Sequence, residues 1–526
     1  MPRALATDAI SVRTITPRVW DEGPCWPVSD EVFDAIVDRL FDRFRDVARD
    51  LAPPERLGLL VLHGDLTVIA RSVHLRLAHH LATRDGVAVL RRGAAFEPPP
   101  WSRELSPDVG AGHGSRRGTP RRAIVRLGKR WLFNSHHGLA RRVSTVLTGS
   151  PVALLGSMST LVAADCDARR QALDVIPVED LVDTQMPPTS IPTPRSRAAI
   201  EAALVAVEGE IARIGGVGFG LVELADVLAT RIAGAADMIA RARARLPRSL
   251  TTLYVNEIGK PRQRIVAAAA SEAGVEVTTV NHGFYAAETA LDEAVGFQHV
   301  FSSRVVGYNA TNARRLASSF QASRMASFGN PTFVSAGDFD GMPARPLARP
   351  PEPGSRPSSV MIVGYPMNDA RYLQSAGHFF AFQLSAERAL AQAFRAAGVR
   401  VIYKVHPERV AEADGLFADL VDEVLGGAFE SQMERADAFV FASHLTTTFN
   451  IAVGSGKPCF VLDIPGMRWS PDARETLSGA VRFIPAAFDG LGRLHPLPGA
   501  VDMAIARQDP LDAGPYVRAF LGQDGG

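Results

Sequence analysis

The chain of 526 residues is too long for one ordinary domain, so two or three domains are expected. Its hydrophobic content of 46% and charged content of 21% are typical of a soluble globular protein, and its net charge of +1 gives no basis for nucleic-acid binding. Three widely separated cysteines, Cys25, Cys166 and Cys459, exclude a disulfide framework and a paired-cysteine zinc site.

Residues 1–16 lack the apolar core of a secretory signal. No later stretch has both the length and the apolarity of a transmembrane helix. We therefore expect a cytoplasmic protein, with peripheral contact at the inner membrane face left open.

The first part of the chain predicts a helix and then a strand. Apolar residues recur at helical spacing after Pro27. Leu57–Leu62 form a compact apolar run that predicts a buried parallel strand, ending in His63-Gly64-Asp65. Asp65 at that strand end is a candidate general base, with a helix N-cap or a solvated loop acid as the alternatives.

Two more strands are predicted at Val87–Leu90 and Val152–Leu155. Between them, residues 93–130 are rich in proline and glycine, and residues 116–130 are strongly basic. This basic loop could contact an anionic acceptor or a phospholipid surface. A solvated surface loop is the alternative.

Residues 196–246 are rich in alanine and predict helices. They contain Gly216-Val217-Gly218-Phe219-Gly220, which superficially looks like a phosphate-binding loop. Because no strand precedes this segment, we interpret it as a break between two helices.

From Leu250 onward strands and helices alternate. A predicted strand at Leu253–Glu257 places Glu257 at its end, which makes Glu257 a second candidate for the general base. The next predicted strand, Val275–Val280, leads into Asn281-His282-Gly283. His282 could reach a ligand there, and a structural role is the alternative.

A proline-rich linker is predicted at residues 336–358, and a second alternating series follows it. Alternation of strands and helices implies parallel sheets. We therefore predict an α/β fold with two Rossmann-like domains facing a cleft. The N-terminal domain spans 1–335 with a helical insertion around 196–246, and the C-terminal domain spans 359–526.

The strand predicted at Val399–Tyr403 ends in Lys404-Val405-His406-Pro407. Lys404 and His406 alternate with a valine, so both are expected on one side as the strand ends, and Pro407 stops the ladder. A lysine and a histidine at a strand end suit a phosphate group. A surface loop with a chance sequence is the alternative.

The strand predicted at Ala438–Ala442 ends in a turn rich in serine and threonine, residues 443–448, which precedes a predicted helix. Hydroxyl groups and free N–H groups at a helix N-terminus bind anions. Plain capping is the alternative, and one turn can do both. Ligands bind beyond the carboxyl ends of parallel strands, so this turn and Lys404 predict one nucleotide-phosphate site.

The motifs of the second half, taken together, resemble those of GT-B-type glycosyltransferases of bacterial surface-polysaccharide synthesis. The Kdo transferases and bacterial sialyltransferases, which use CMP-activated sugars, are the most similar, and the CDP-glycerol glycerophosphotransferases share the layout. The resemblance covers about residues 250–465 and rests on these motifs: His282-Gly283, Gly329-Asn330-Pro331, Lys404-x-His406-Pro407, the turn at 443–448 and Gly456-Lys457-Pro458.

The resemblance implies a set of ligands for the donor. Lys404, His406, Ser443, Thr446 and Thr447 would hold its phosphate. The family's ribose-binding glutamate is missing after the Ser/Thr turn, and Asn450 is the nearest polar substitute. The family's glutamine before His-Gly is here Asn281.

The expected function is transfer of a sugar, from CMP-Kdo or a CMP-nonulosonate, to a glycan or lipid-linked glycan acceptor. No metal or cofactor beyond the nucleotide sugar is expected. A CDP-polyol transferase and a nucleotide-sugar epimerase are alternatives within the enzymes. A non-catalytic GT-B-like scaffold that binds a glycan or a partner is the alternative of another class.

Overall fold

A computed structural model describes most of the chain. The described residues are 4–23, 25–105, 127–129, 131–134, 139, 143, 145, 147, 150–156, 158–182, 189–256, 258, 260–281, 288, 292–336, 356–365, 379–407, 410–467, 469–470, 473–507 and 511–517.

Five helices follow one another over residues 9–84, and from residue 152 onward helices and strands mostly alternate. The helices are α1 (Ala9–Ile15), α2 (Pro17–Glu22), α3 (Asp30–Asp50), α4 (Pro53–Val61), α5 (His63–Arg84), α6 (Trp101–Glu104), α7 (Thr160–Ala168), α8 (Val178–Leu181), α9 (Pro194–Gly215), α10 (Ala225–Arg245), α11 (Pro261–Glu272), α12 (Asp292–His299), α13 (Ala310–Ala322), α14 (Phe379–Ala396), α15 (Val410–Ala413), α16 (Thr447–Gly454), α17 (Ala473–Ala480), α18 (Ala500–Ala506) and α19 (Gly514–Tyr516). The strands are β1 (Ala4–Ala6), β2 (Ala88–Arg91), β3 (Ala94–Ala95), β4 (Val152–Leu155), β5 (Asp174–Val175), β6 (Thr252–Val255), β7 (Glu276–Val280), β8 (Arg304–Gly307), β9 (Thr332–Ser335), β10 (Ser359–Val363), β11 (Arg400–Lys404), β12 (Glu423–Leu425), β13 (Ala438–Phe441), β14 (Cys459–Asp463), β15 (Arg482–Phe488) and β16 (Leu494–Pro496).

Two large sheets organise the chain. The first has six parallel strands in the order β5-β4-β6-β7-β8-β9. The second has the order β12-β11-β10-β13-β14-β15-β16, with only β16 antiparallel. Both orders are doubly wound, as in Rossmann-like folds. The predicted α/β class with two Rossmann-like sheets is confirmed.

The central strands are apolar because helices cover both faces of each sheet. Every residue of β4, β6 and β13 is buried. Such continuous burial is typical of parallel sheets, whose crossover helices leave neither face to solvent. The same burial explains why these strands could be predicted from uninterrupted apolar runs.

The strand predicted at Leu57–Leu62 is wrong, because this run lies in α4 and the turn after it. Pro53 and Pro54 occupy the first helical turn, where proline needs no N–H partner. The helix then buries Gly58–Val61. A short apolar run does not by itself distinguish a buried strand from a buried helix.

Gly58 lies where α4 crosses α10, and a Cβ atom at Gly58 would clash with the carbonyl oxygen of Ile232. Gly58→Ala is expected to lower the free energy of unfolding by about 2 kcal/mol, as overpacking does. The matched control is Gly209→Ala, because nothing lies within 4 Å of a Cβ atom built at that position of α9. The control is expected to gain up to about 1 kcal/mol from helix propensity. Chemical denaturation of both variants measures the contrast, and equal effects would contradict this packing.

The glycine-rich segment at 216–220 separates α9 from α10, as predicted. Gly216 ends α9 in the left-handed conformation, with φ of 72°. The backbone N–H groups of Phe219, Gly220 and Leu221 all donate to the carboxylate of Glu208. The N–H groups of this segment are therefore already occupied by the protein's own carboxylate at Glu208.

The N-terminal segment packs against the second half of the chain. Arg388 of α14 is 1% exposed and donates to Asp21 at 2.5 and 2.8 Å and to Asp419 at 2.7 and 2.9 Å. The N–H of Cys25 donates to the carbonyl of Leu491 at 3.1 Å. Residues near 20–25 thus connect the two halves independently of the linker predicted at 336–358, most of which lies outside the described residues.

None of the described helices combines the length and the apolarity needed to cross a membrane.

Candidate functional site

The carboxyl edge of the second sheet brings the predicted phosphate ligands together. Strand β10 lies between β11, which ends at Lys404, and β13, which leads into the turn at Ser443. The strand order reverses between β10 and β13, and such a reversal opens a crevice for ligands in doubly wound sheets. Lys404 and the Ser/Thr turn therefore flank the position where this fold binds nucleotides.

Lys404 is a buried cation at this edge. Its residue is 2% exposed, and its Nζ donates to the carbonyl of Val405 at 2.7 Å. Burial lowers the pKa of Lys404, and the charge of Glu430 partly opposes that shift. An ammonium group has three donors, so an anion arriving here would find a poorly solvated positive charge with donors to spare.

His406 and Pro407 follow immediately. The ladder continues one residue beyond β11, since the N–H of Val405 donates to Leu425 O at 2.9 Å. His406 is half-buried and Pro407 is exposed. The change from buried strand to accessible polar loop thus falls at His406, as the sequence indicates. The contact between His406 and a donor phosphate remains a prediction.

The end of β10 supplies a residue that the sequence reasoning missed. The N–H of Gly364 donates to Lys404 O at 2.9 Å, and a Cβ atom at Gly364 would lie 3.0 Å from that oxygen and clash with the Tyr403 hydroxyl. The next residue, Tyr365, donates its hydroxyl to Leu445 O at 3.1 Å. Tyr365 therefore connects β10 to the Ser/Thr turn across the crevice.

A buried acid, Glu387, holds this arrangement in place. It accepts the N–H of Tyr365 at 3.0 Å and the hydroxyl of Tyr403 at 2.7 Å. Burial raises the pKa of Glu387 to about 8, although hydrogen bonds from Gln383 and Tyr403 oppose the shift. Glu387 fixes the backbone between the two predicted phosphate-binding segments.

The Ser/Thr turn caps helix α16. Thr446 is the N-cap and accepts the N–H of Thr448 at 3.3 Å, and Ser443 accepts the N–H of Leu445 at 3.3 Å. Ser443, Thr446 and Thr447 are all half-buried. The capping role is thus shown, and it leaves the hydroxyl protons and the positive end of the helix dipole for an anion.

Asn450 lies in the interior. It is fully buried, and its Nδ2 donates to Glu288 Oε1 at 2.9 Å and to the hydroxyl of Tyr516. A contact with a nucleotide ribose would require Asn450 to give up these bonds. The prediction that it replaces the missing glutamate is therefore opposed by its hydrogen bonding.

Glu288 is the unexpected member of the site. It follows β7 of the first sheet along the chain, yet its carbonyl accepts the N–H of Ser470 at 2.8 Å and its Oε1 accepts the hydroxyl of Tyr516 at 2.5 Å. Burial raises the pKa of Glu288 to about 7, while Tyr516, Asn450 and the charge of Arg315 oppose the shift. A carboxyl group from the first half is thus buried beside the helix that follows the Ser/Thr turn.

Two oxygens of this cluster lack a donor. Glu288 Oε2 and Asn450 Oδ1 are both buried without a hydrogen-bond partner in the described part of the chain. Both oxygens are only acceptors when Glu288 is ionised, so neither can donate to the other. Their side chains are already joined by the bond from Asn450 Nδ2 to Glu288 Oε1 at 2.9 Å. A proton on Oε2 would supply a donor, as in a carboxylic acid, and this agrees with the raised pKa.

The predicted position of Asp65 at the end of a strand is wrong. Asp65 lies in the first turn of α5, because the preceding apolar run is helical. Its two carboxylate oxygens accept hydrogen bonds from Arg231 at 2.6 and 2.9 Å. This bidentate pair occupies both carboxylate oxygens of Asp65.

The other candidates for catalysis lie outside the described residues. These are Glu257 and His282. Residues 116–126 and 130 of the basic loop, predicted to contact an acceptor or a phospholipid surface, also lie outside the described residues. Within the described part of the chain, no group of three His, Cys, Asp or Glu side chains is arranged to hold a metal ion.

Comparisons with known proteins yield only weak likenesses. No family model and no curated protein matches the chain. A UDP-N-acetylglucosamine 2-epimerase from Rickettsia bellii is 10% identical, with a TM-score of 0.33, over 70% of this chain and 93% of its own. The glycotransferase of kitacinnamycin is 12% identical, with a TM-score of 0.35, over 70% of this chain and 94% of its own. Similarity this low does not indicate a function. The assignment of the fold is based on the sheet topology instead.

Proposed function

We propose that the chain is a GT-B-type glycosyltransferase that moves a sugar from a nucleotide donor to a surface-glycan acceptor. The donor class we propose is CMP-Kdo or a CMP-nonulosonate, following the motif resemblance. The observation that supports the proposal is the carboxyl edge of the second sheet. There, a buried lysine and a capped helix N-terminus flank the point where the strand order reverses.

The proposed chemistry is stabilisation of a leaving phosphate. When the glycosidic bond breaks, negative charge develops on the nucleotide. Lys404, protonated His406 and the hydroxyls of Thr446 and Thr447 are preorganised donors for that charge. Closure of the two domains over the donor would exclude water and limit its hydrolysis.

The acceptor would bind on the N-terminal domain as a glycan or a lipid-linked glycan, with the basic loop at 116–130 near a membrane surface. A base must remove the proton of the acceptor hydroxyl. The candidates are Glu257, His282 and Asp65, the last of which is paired with Arg231. Beyond the nucleotide sugar and the acceptor, the proposal requires no cofactor.

One observation favours a second function, a non-catalytic scaffold of the same fold. The glutamate expected for the ribose is missing, and its nearest substitute, Asn450, is bonded inside the protein. A scaffold need not preserve donor binding. The buried Lys404 counts against a scaffold, because a scaffold has no need to retain a cation whose desolvation costs free energy.

Nucleotide release tests the proposal. The purified chain is incubated with CMP-, CDP-, UDP- and GDP-activated sugars and a glycan acceptor, and free nucleotide is quantified by chromatography. We expect CMP release that falls by about a hundredfold or more in His406→Ala, the loss typical of a deleted transition-state donor. A parallel incubation contains CDP-glycerol, and release of CMP from it would favour a polyol-phosphate transferase. Conversion of the sugar of a nucleotide donor without release of nucleotide would favour an epimerase. No turnover by folded protein would favour the scaffold.

A further inference from the structure

A cavity of about 510 Å³ lies in the first half of the chain. It is lined by α5, by the loop before α6 and by the connection between α9 and α10, and by none of the strand-end residues of the proposed donor site. Its volume falls within the range of about 300–1,000 Å³ that is common for small-ligand sites. No motif in the sequence predicts a ligand here.

One wall of the cavity is basic. It consists of one face of α5, with Arg76, His79, His80, Thr83 and Arg84 at the helical spacing that places side chains on one side. None of the described lining residues is acidic. The wall therefore favours a negatively charged ligand group.

Two carboxylates lie close to this wall without lining the cavity. Asp85 is 3.1 Å from Arg84, and Glu97 is 3.8 Å from His79. Their side chains are 59% and 86% exposed. Exposed pairs of this kind contribute little and are screened by salt, so they leave the wall able to bind an anion.

The opposite wall is apolar and is formed by Pro98, Val217 and Phe219. The last two belong to the glycine-rich segment, whose N–H groups at 219–221 are occupied by Glu208. This segment therefore presents side chains to the cavity and keeps those N–H groups for its own carboxylate. The conformation of the apolar wall is fixed before any ligand arrives.

Trp101 connects the two walls. The guanidinium carbon of Arg76 lies 3.9 Å from the centroid of the Trp101 ring, a cation–π distance. The indole Nε1 donates to the carbonyl of Phe219 at 2.6 Å, and Arg76 donates to the carbonyl of Pro99. The basic and apolar walls are thus held at a set separation, which is the preorganisation expected of a binding site.

We propose that this cavity binds a small amphipathic anion, with its phosphate or carboxylate head group on the α5 face and an apolar chain or ring against Pro98, Val217 and Phe219. The basic wall alone would accept inorganic phosphate, and the apolar wall alone would accept a neutral alcohol. Only a ligand with both parts satisfies the two walls together. This site is separate from the proposed donor site and does not depend on transferase activity.

Isothermal titration with octyl phosphate, at concentrations where it is monomeric, tests the proposal. Inorganic phosphate and 1-octanol are titrated in parallel. We expect one molecule of octyl phosphate per chain, bound at least about tenfold more tightly than either fragment, because each fragment contacts one wall only. Equal binding of inorganic phosphate would overturn the amphipathic site. Binding to phosphatidate vesicles without binding of monomeric octyl phosphate would assign the face to a membrane surface and also overturn it.

Surface variants locate the binding. His80 and Arg84 are exposed on α5, so the double variant His80→Gln/Arg84→Gln is expected to keep the fold and to weaken octyl phosphate by about tenfold. Thr83→Trp, also at an exposed position, fills the cavity and is expected to abolish binding. Arg248→Gln is the charge control, because Arg248 is exposed and does not line the cavity. Weakening by the control, or none by the other two variants, would overturn the assignment. Since no nucleotide is present, the result is independent of the proposed transferase.

Discussion

Replacing Lys404 with methionine is expected to weaken nucleotide binding by about a hundredfold, the effect of losing a charge-assisted hydrogen bond to phosphate. The same change should leave the free protein about as stable as before, although the carbonyl of Val405 loses one donor. The reason is that Lys404 is buried with its Nζ bonded only to the neighbouring carbonyl of Val405 among the described residues. Removing a desolvated charge of this kind relieves an unfavourable burial. Calorimetric titration and chemical denaturation measure the two effects.

Lys457 provides a matched control on the same sheet. Its residue is 8% exposed, and its Nζ donates to the carbonyls of Met433 and Ala436, each at 2.7 Å. Lys457→Met leaves those two buried oxygens without a donor and is expected to cost about 1–3 kcal/mol of stability. It should leave nucleotide affinity unchanged. If Lys404→Met instead destabilises the protein as Lys457→Met does and retains its affinity, Lys404 is structural.

The second large effect concerns pH, and it is expected at Glu288. In the folded protein the pKa of Glu288 is raised from 4.5 to about 7, chiefly by burial. Between these values the native state keeps a proton that the unfolded chain has released. The free energy of unfolding therefore falls as the pH rises through this window, by about 3 kcal/mol in total, and the fall ends above pH 7.

Glu288→Gln should remove this pH dependence. Glutamine is neutral, and its amide can donate to Asn450 Oδ1 while its oxygen accepts from Tyr516, as a protonated Glu288 would. We expect the variant to match the natural protein near pH 4.5 and to exceed its stability by about 3 kcal/mol at pH 8. Glu387 also titrates in this range, but it is present in both proteins and cancels in their difference.

Denaturation of both proteins between pH 4.5 and pH 8.5 decides the question. A stability difference that grows with pH and then levels off supports a protonated Glu288 beside α16. A difference that stays constant with pH would show that Glu288 is ionised in the folded protein. In that case the two buried oxygens must be satisfied in another way.

The core strands could be predicted because the feature that marks them, an uninterrupted apolar run, lies within each strand. A strand covered on both faces must be apolar throughout, and β4, β10, β13 and β14 are short apolar runs that end in polar or turn residues. The error at Leu57–Leu62 has the same origin. A buried helix can show the same run, and only the packing of Gly58 against α10 distinguishes the two.

The site was predictable only in part. Lys404 and the turn at Ser443 stand at the ends of recognisable strands, so their common edge follows from a parallel sheet. Tyr365 and Glu288 could not be found in this way, because their roles depend on partners distant in sequence. The hydroxyl of Tyr365 reaches Leu445, and Glu288 meets Asn450 and Tyr516. Contacts of this kind are products of the tertiary structure and leave no local pattern.

The nucleotide site itself is tested most directly by thermal unfolding of the purified chain with CMP, CDP, UDP, GDP and ADP. A ligand that binds only the folded state at a hundred times its Kd stabilises it by about 2.7 kcal/mol and raises the Tm. We predict such a rise with CMP, and its loss in His406→Ala. An unchanged Tm with every nucleotide, for protein shown to be folded, would contradict a nucleotide site at the carboxyl edge of the second sheet.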